Sequence, residues 1–102
     1  MALARAAWIM ATAPDERLRH GPRALALARR ACELAGRSNA MILNTLAAAC
    51  AEAGQFNEAV SAAQEALGAA RSAGDASLAA MIAQLLELYR GGQPYHQAPP
   101  AQ

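Results

Sequence analysis

Residues 43–66 read LNTLAAACAEAGQFNEAVSAAQEA, and part of this pattern also occurs 35 positions earlier in the chain. The matching pairs are Trp8 with Leu43, Ala24 with Ala59, Ala28 with Ala63 and Ala31 with Ala66. Self-similarity at a fixed period of this length is typical of arrays of two-helix units. Such arrays hold partners and rarely catalyse reactions, so the pattern predicts a helical architecture and favours a binding role.

Composition agrees with a helical protein. The chain has 102 residues, which fits a single domain, and 55% of them are hydrophobic although only 4% are aromatic. Most of the apolar content is therefore alanine with some leucine. Alanine is the best helix former and is depleted in strands, so close helix packing must replace bulky side chains.

Local signals predict five helices. The first covers roughly residues 2–12 and stops before Pro14; a polar connector over 14–21, with room for one helical turn, leads to the second. The second helix runs from Gly21-Pro22 to about Ala35, and the third is capped by Ser38 and Asn39 and ends at Gly54. The fourth runs from Phe56 to about Ala70, and the fifth lies between Gly74-Asp75 and Gly91-Gly92.

Apolar residues recur at steps of three and four within each predicted helix, which identifies the expected core. In the second helix they are Ala24, Leu27, Ala28, Ala31, Leu34 and Ala35; in the third, which has the clearest amphipathic pattern, they are Leu43, Leu46, Ala47, Cys50 and Ala53; in the fifth they are Leu78, Ile82, Leu85, Leu86 and Tyr89. Cys32 and Cys50 lack any CxxC spacing, so we expect buried thiols that pack as small hydrophobes.

The segment 40–73 resembles a tetratricopeptide repeat. The residues that carry the resemblance are Leu43, Leu46, Ala47, Gly54, Phe56, Ala59 and Ala66. Cys50 replaces the usual tyrosine, and Arg71 stands where a proline is common. The first unit matches less well, because Pro14 interrupts it. From Ala7 to Tyr95 the chain is similar to the carboxyl-terminal segment of larger bacterial tetratricopeptide proteins, which implies a fragment or a stand-alone module.

The fold class that follows is all-α, a short α-solenoid of helix-turn-helix units with a carboxyl-terminal capping helix. The expected domain spans 1–92, with unit one at about 5–38, unit two at about 39–73 and the capping helix at about 75–90. Residues 93–102 contain three prolines and no periodicity, which predicts a flexible tail.

The resemblance also implies where a partner would bind, since the first helix of each unit lines a concave groove in tetratricopeptide arrays. The residues carried over to partner binding are Met10, Met41, Asn44, Thr45, Ala48 and Glu52. Methionine adapts to varied apolar partners, and asparagine can both donate to and accept from a peptide backbone. The alternative interpretation is that the methionines fill packing gaps and that Asn44 is a solvated surface amide.

Two further interpretations belong to different functional classes. The chain would serve as a structural cap of a longer solenoid, self-associating through its exposed amino-terminal edge and binding no ligand of its own. A basic surface for nucleic acid, built from Arg17, Arg19, Arg23, Arg29 and Arg30, is the weaker of the two because the arginines lack interleaved aromatic residues. The groove positions include no basic residue, so no preference for peptides with acidic carboxyl termini is expected.

Signals for catalysis and for cofactors are lacking. His20 and His96 lie in the connector and in the tail, and the sequence has no nucleophile motif, phosphate loop or metal-ligand spacing. We therefore expect a non-enzymatic protein without cofactors whose partner is a protein or peptide. No window has the apolar length of a membrane span, and Trp8, in register with Leu43, assigns the apolar opening to the fold rather than to a signal peptide. A cytoplasmic location is slightly favoured.

Overall fold

The helices begin and end where caps and glycines lie in the sequence. The structure, a computed structural model, describes residues 2–36 and 38–97. Five α-helices and no strand are found in this part of the chain. Their bounds are α1 Ala2–Thr12, α2 Gly21–Ala35, α3 Ala40–Glu52, α4 Phe56–Ser72 and α5 Ala76–Arg90. The all-α prediction and the five predicted helices are thereby confirmed.

Side chains cap three of the helix starts. The Oδ1 atom of Asn39 accepts a hydrogen bond of 3.2 Å from the backbone nitrogen of Ile42, and Oδ1 of Asp75 accepts one of 3.0 Å from that of Leu78. At α2 the cap is His20, whose Nδ1 accepts from the backbone nitrogen of Arg23 at 3.1 Å. Each bond satisfies a donor that the first turn of a helix leaves without an intrahelical partner.

Glycines end α3 and α4 in the same way. Gly54 and Gly74 have φ values of +82° and +73°, a region that residues with a Cβ atom rarely adopt. The backbone nitrogen of the residue after each glycine donates to the carbonyl oxygen five residues earlier. Gln55 donates to Cys50 at 2.8 Å, and Asp75 donates to Ala70 at 3.0 Å. This pattern is the Schellman motif. The chain reverses within three residues at both places, so α4 runs back along α3 and α5 runs back along α4.

Helix α3 lies at the centre of the core. It packs against α1, α2 and α4, while α5 packs against α4. Every residue from Ile42 to Ala51 is buried. The predicted amphipathic character of α3 is therefore wrong: neighbours on three sides cover even the polar face of Asn44 and Thr45. Ala53, predicted to be in the core, is only half-buried.

Alanine fills the places where helices approach most closely. Ala47, Ala59 and Ala66, the positions that carry the repeat resemblance, are each 0% exposed. A single side-chain carbon lets the helix backbones approach closely. The radius of gyration is 12.4 Å, close to the roughly 13 Å expected for a compact domain of about 100 residues.

Helix α2 buries a slightly different face from the one predicted. Leu34 is 67% exposed and Ala35 is also exposed, whereas Leu25 and Cys32 are buried. The buried stripe is centred on Ala24, Ala28 and Ala31 and includes Leu25 and Cys32 beside them, so Leu34 in the last turn lies at its edge, open to solvent. The predictions for Leu34 and Ala35 are therefore wrong, and the predicted burial of both cysteines is confirmed.

The start of α2 lies directly against the end of α3. A Cβ atom added to Gly21 would lie 2.7 Å from the carbonyl oxygen of Glu52 and 2.9 Å from the backbone nitrogen of Ala53. Only a glycine allows so close an approach between the two backbones. The approach fixes the connector after α1 beside the carboxyl end of α3. Turns, and no helix, occupy the described connector.

Candidate functional site

The six residues predicted to face a partner are placed in three different environments. Met41 is 52% exposed, whereas Asn44 and Ala48 are 0% and 1% exposed and Thr45 is 4% exposed. Met10 and Glu52 are half-buried. Asn44 is thus no solvated surface amide, because it lies inside the core.

A cleft of about 530 Å³ opens between the amino-terminal parts of α1 and α3. Its lining consists of Ala4, Arg5 and Trp8 from the first helix and Asn39, Met41, Ile42 and Thr45 from the α3 side. The structure brings Met41 and Thr45 together there, and none of the other four predicted residues lines the cleft. The hydroxyl of Thr45 donates to the carbonyl oxygen of Met41 at 3.0 Å, so that donor is used within the helix.

The cleft combines apolar walls with a polar rim. The indole of Trp8 and the thioether of Met41 offer polarisable apolar surface, which suits an apolar or aromatic side chain. Arg5 and Asn39 are exposed. The Oδ1 atom of Asn39 caps α3, and its amide nitrogen retains two hydrogen-bond donors. Such a site can accept a short apolar segment and hold polar atoms beside it.

The segment Gln93–Gln97, called the tail segment below, lies across α1 and α3. The backbone nitrogen of Gln97 donates to the carbonyl oxygen of Thr12 at 2.7 Å, and its side-chain Nε2 donates to the Thr12 hydroxyl at 3.3 Å. The Tyr95 ring lies 6.0 Å from that of Trp8 between centroids, at an interplanar angle of 38°. The predicted flexible tail covers this segment as well as residues 98–102, which lie outside the described residues.

Glu52 is held by two neighbours instead of facing an open groove. Its Oε1 is 2.5 Å from Nε2 of His96 in the tail segment, and its Oε2 is 3.7 Å from Nε of Arg19 in the connector. The side chains of Glu52 and Arg19 are only 16% and 17% exposed. Through these contacts the end of α3 joins the connector to the tail segment.

Within residues 2–36 and 38–97, two buried polar side chains have atoms without a hydrogen-bond partner. They are Asn44, at both Oδ1 and Nδ2, and Tyr89, at its hydroxyl. Tyr89 is 1% exposed, and its burial, together with the ionisable groups of Tyr95 and Cys50 nearby, raises the pKa of its phenol well above the usual value near 10. Because the charged form is disfavoured there, Tyr89 ionises in the folded domain only at a higher pH than it does in the unfolded chain.

Tyr89→Phe should remove part of the stability loss at alkaline pH. The unfolded chain ionises Tyr89 above about pH 10, and the folded chain does not, so stability present below that pH declines as pH rises, by at most about 1.4 kcal/mol per pH unit. Urea unfolding of both proteins at about pH 7 and about pH 11 checks this. If the parent and Tyr89→Phe lost the same free energy of unfolding between the two pH values, the raised pKa of Tyr89 would be contradicted.

Most arginines of the proposed basic surface form ion pairs. Arg17 pairs with Asp15 at 2.9 Å, and its hydrogen bonds hold the pKa of that carboxyl below its usual value. The other pairs are Arg29 with Glu58 at 3.1 Å, Arg30 with Glu33 at 3.9 Å and Arg19 with Glu52. Acidic partners beside these guanidinium groups reduce the positive potential that nucleic acid would require.

Groups of three or more His, Cys, Asp or Glu residues that could hold a metal ion are not found among the described residues. Nor does this part of the chain include a helix long and apolar enough to cross a membrane. Comparison with protein-family models, with curated proteins and with solved structures finds no match for this chain.

Sequence reasoning missed the residues that surround the predicted ones. The sequence pattern identifies Trp8 only as a repeat position, and it gives no reason to place Arg5, Thr12 or Tyr95 at the site. One signal was present: the chain has only four aromatic residues, and Tyr95 is the one placed in the proline-rich end. Aromatic side chains bury large areas, so a tyrosine in such a segment indicates a contact with the folded domain.

Proposed function

We propose that the chain is a non-enzymatic interaction module of the tetratricopeptide type, a short α-solenoid in which α5 serves as the capping helix. In this proposal it binds a peptide or a segment of another protein in the cleft between α1 and α3. The observation that carries the proposal is this open cleft of about 530 Å³, walled by Trp8 and Met41.

The order of packing supports the repeat architecture. Each helix packs against the next one in the chain, and α1 also packs against α3, as expected when the first helices of two successive units lie side by side. The residues related by the 35-residue offset support it as well. Ala24 and Ala59 are both 0% exposed, as are Ala28 and Ala63. In the remaining pair, Leu43 is 0% exposed and its equivalent Trp8 is half-buried.

The chemistry of the lining defines the class of ligand. An extended segment with a large apolar or aromatic side chain would place that side chain between Trp8 and Met41. Among the residues that the structure describes, Arg5 is the one basic residue that lines the cleft. Because recognition of carboxylates in grooves of this type requires several cationic groups, we expect no strong preference for peptides with acidic carboxyl termini.

The cap hypothesis differs in what it expects at this surface. A cap that binds nothing itself needs an apolar face that another copy or another repeat covers. The cleft instead has exposed polar residues, Arg5 and Asn39, beside its apolar walls. A polar rim around an apolar centre is the composition of a binding site, which favours the binding hypothesis over the cap.

Met41→Arg should raise the Kd of a cleft ligand by about tenfold or more, because it places a charge between the apolar walls. The probe is a phage-displayed library of random linear peptides selected on the full chain. Enriched peptides are then synthesised and titrated while the fluorescence of Trp8, the single tryptophan, is recorded.

Met81→Arg is the matched control, since Met81 is 37% exposed on α5 and does not line the cleft. Binding that survives Met41→Arg, or that both variants weaken equally, would contradict the assignment of the cleft. A selection that enriches no peptide would count against the binding role itself.

A further inference from the structure

The tail segment meets the domain next to the open cleft, and the two sites share one residue. Trp8 lines the cleft and also contacts Tyr95 of the tail segment. The α1–α3 surface is therefore one continuous surface with two parts. The cleft is open, and the part near the carboxyl ends of α1 and α3 is covered by this chain's own residues.

The contacts of the tail segment are those of a bound peptide. One aromatic ring, that of Tyr95, lies at a pairing distance from Trp8. The next side chain, His96, is hydrogen-bonded to the Glu52 carboxylate. Gln97 then uses both its backbone and its side-chain nitrogen on Thr12. Aromatic packing, a side-chain bond to a fixed carboxylate and a backbone bond to a helix terminus are each a means of recognising an extended segment.

The Thr12 carbonyl explains why this place attracts a peptide nitrogen. Thr12 is the last residue of α1, and the last carbonyls of a helix have no intrahelical donor. The buried hydroxyl of Thr12 donates to the Trp8 carbonyl at 2.7 Å, which leaves the Thr12 oxygen as an acceptor. Both acceptors are satisfied by Gln97 in the structure, so an unoccupied site would leave them to water.

We propose that Gln93–Gln97 is a built-in occupant of the α1–α3 surface, so that a longer partner segment extending past Trp8 binds there by displacing it. The inference rests on the proposed function. It adds the class of ligand and the competition between that ligand and the tail segment. The ligand places an aromatic residue on Trp8 and, directly after it, a side chain that donates a hydrogen bond to Glu52. The chain's own Tyr95-His96 pair meets both requirements.

The test uses the full chain and the labelled peptide GGQPYHQ, which has the sequence of residues 91–97. Binding is followed by fluorescence anisotropy and by Trp8 emission. Tyr95→Ala in the chain removes the ring that packs on Trp8, and should let the peptide bind about tenfold more tightly than it binds the parent, the factor expected when the parent site is open about 10% of the time.

Gln93→Ala in the chain is the matched control, since this side chain is exposed in the same segment and should leave the peptide affinity at the parent value. A peptide with alanine in place of its tyrosine should not bind the Tyr95→Ala chain. If circular dichroism shows that Tyr95→Ala does not fold, Gln97→Pro is used in its place, because it removes both the backbone N–H and the side-chain amide that donate to Thr12.

The proposal would be overturned if the parent and the folded Tyr95→Ala or Gln97→Pro chain bound the peptide with equal affinity. It would also be overturned if the peptide bound neither chain. A parent chain that sediments as a dimer, with Tyr95→Ala monomeric, would overturn occupation within one chain in favour of exchange between two copies. Met41→Arg separates the two proposals: it should weaken binding of the library-selected cleft peptides by about tenfold or more and leave binding of GGQPYHQ to the Tyr95→Ala chain unchanged.

Discussion

Leu43→Ala is expected to lower the free energy of unfolding by about 2 to 5 kcal/mol, the range for removing a fully buried leucine side chain from a packed core. Leu43 is 0% exposed in α3, and most of the buried hydrophobic residues of the whole core are alanines. Short side chains cannot reach into the space that the missing atoms would leave. In a domain whose total stability is on the order of 5 to 15 kcal/mol, this loss is a large part of the whole.

Leu34→Ala is the matched control, because it removes the same atoms from a leucine that is 67% exposed. Its effect should stay within about 0.5 kcal/mol, as for most surface substitutions. Urea unfolding of the three proteins followed by circular dichroism measures both values. Similar losses for the two variants would show that the core is not centred on α3.

Gly21→Ala should destabilise the domain by about 1 to 3 kcal/mol through a direct clash. The added methyl would lie 2.7 Å from the Glu52 carbonyl oxygen and 2.9 Å from two backbone atoms of Ala53. Backbone atoms cannot turn aside as the end of a flexible side chain can, so α2 must move away from the end of α3. Thermal unfolding should report the loss as a lower Tm.

Gly68→Ala makes the same chemical change where nothing lies within 4 Å of the added carbon. Gly68 is an exposed residue within α4, and alanine is favoured over glycine in a helix interior by about 1 kcal/mol. The two substitutions should therefore act in opposite directions. A lower Tm for Gly68→Ala, or an unchanged one for Gly21→Ala, would contradict the packing described here.

Helix boundaries could be predicted from the sequence because local chemistry sets them. Asn39 and Asp75 cap helices, and Gly54 and Gly74 end them, through contacts within a few residues along the chain. The environment of α3 could not be predicted in this way. Its pattern of leucines and alanines is that of a helix with one buried face, whereas burial on every side depends on how three other helices pack around it.

The candidate site was predicted in part for the same reason. Met41 and Thr45 follow from their position on α3, and the structure places both at the cleft. Asn44 shares that region of the helix, but its burial depends on tertiary packing, which the sequence pattern does not report. The contacts of Gln97 with Thr12 join residues 85 positions apart, and no local rule connects them.

The central position of α3 also decides the order in which the domain can come apart. Since α1, α2 and α4 all pack on α3, no partial opening can expose it without breaking several interfaces together, and its amide hydrogens should exchange only through global unfolding. At the other extreme, α5 has α4 as its main neighbour and can detach while the remaining helices stay assembled. Such a detachment would carry the residues after Arg90 away from α1, so fraying at one end of the chain would alter the surface formed by the other.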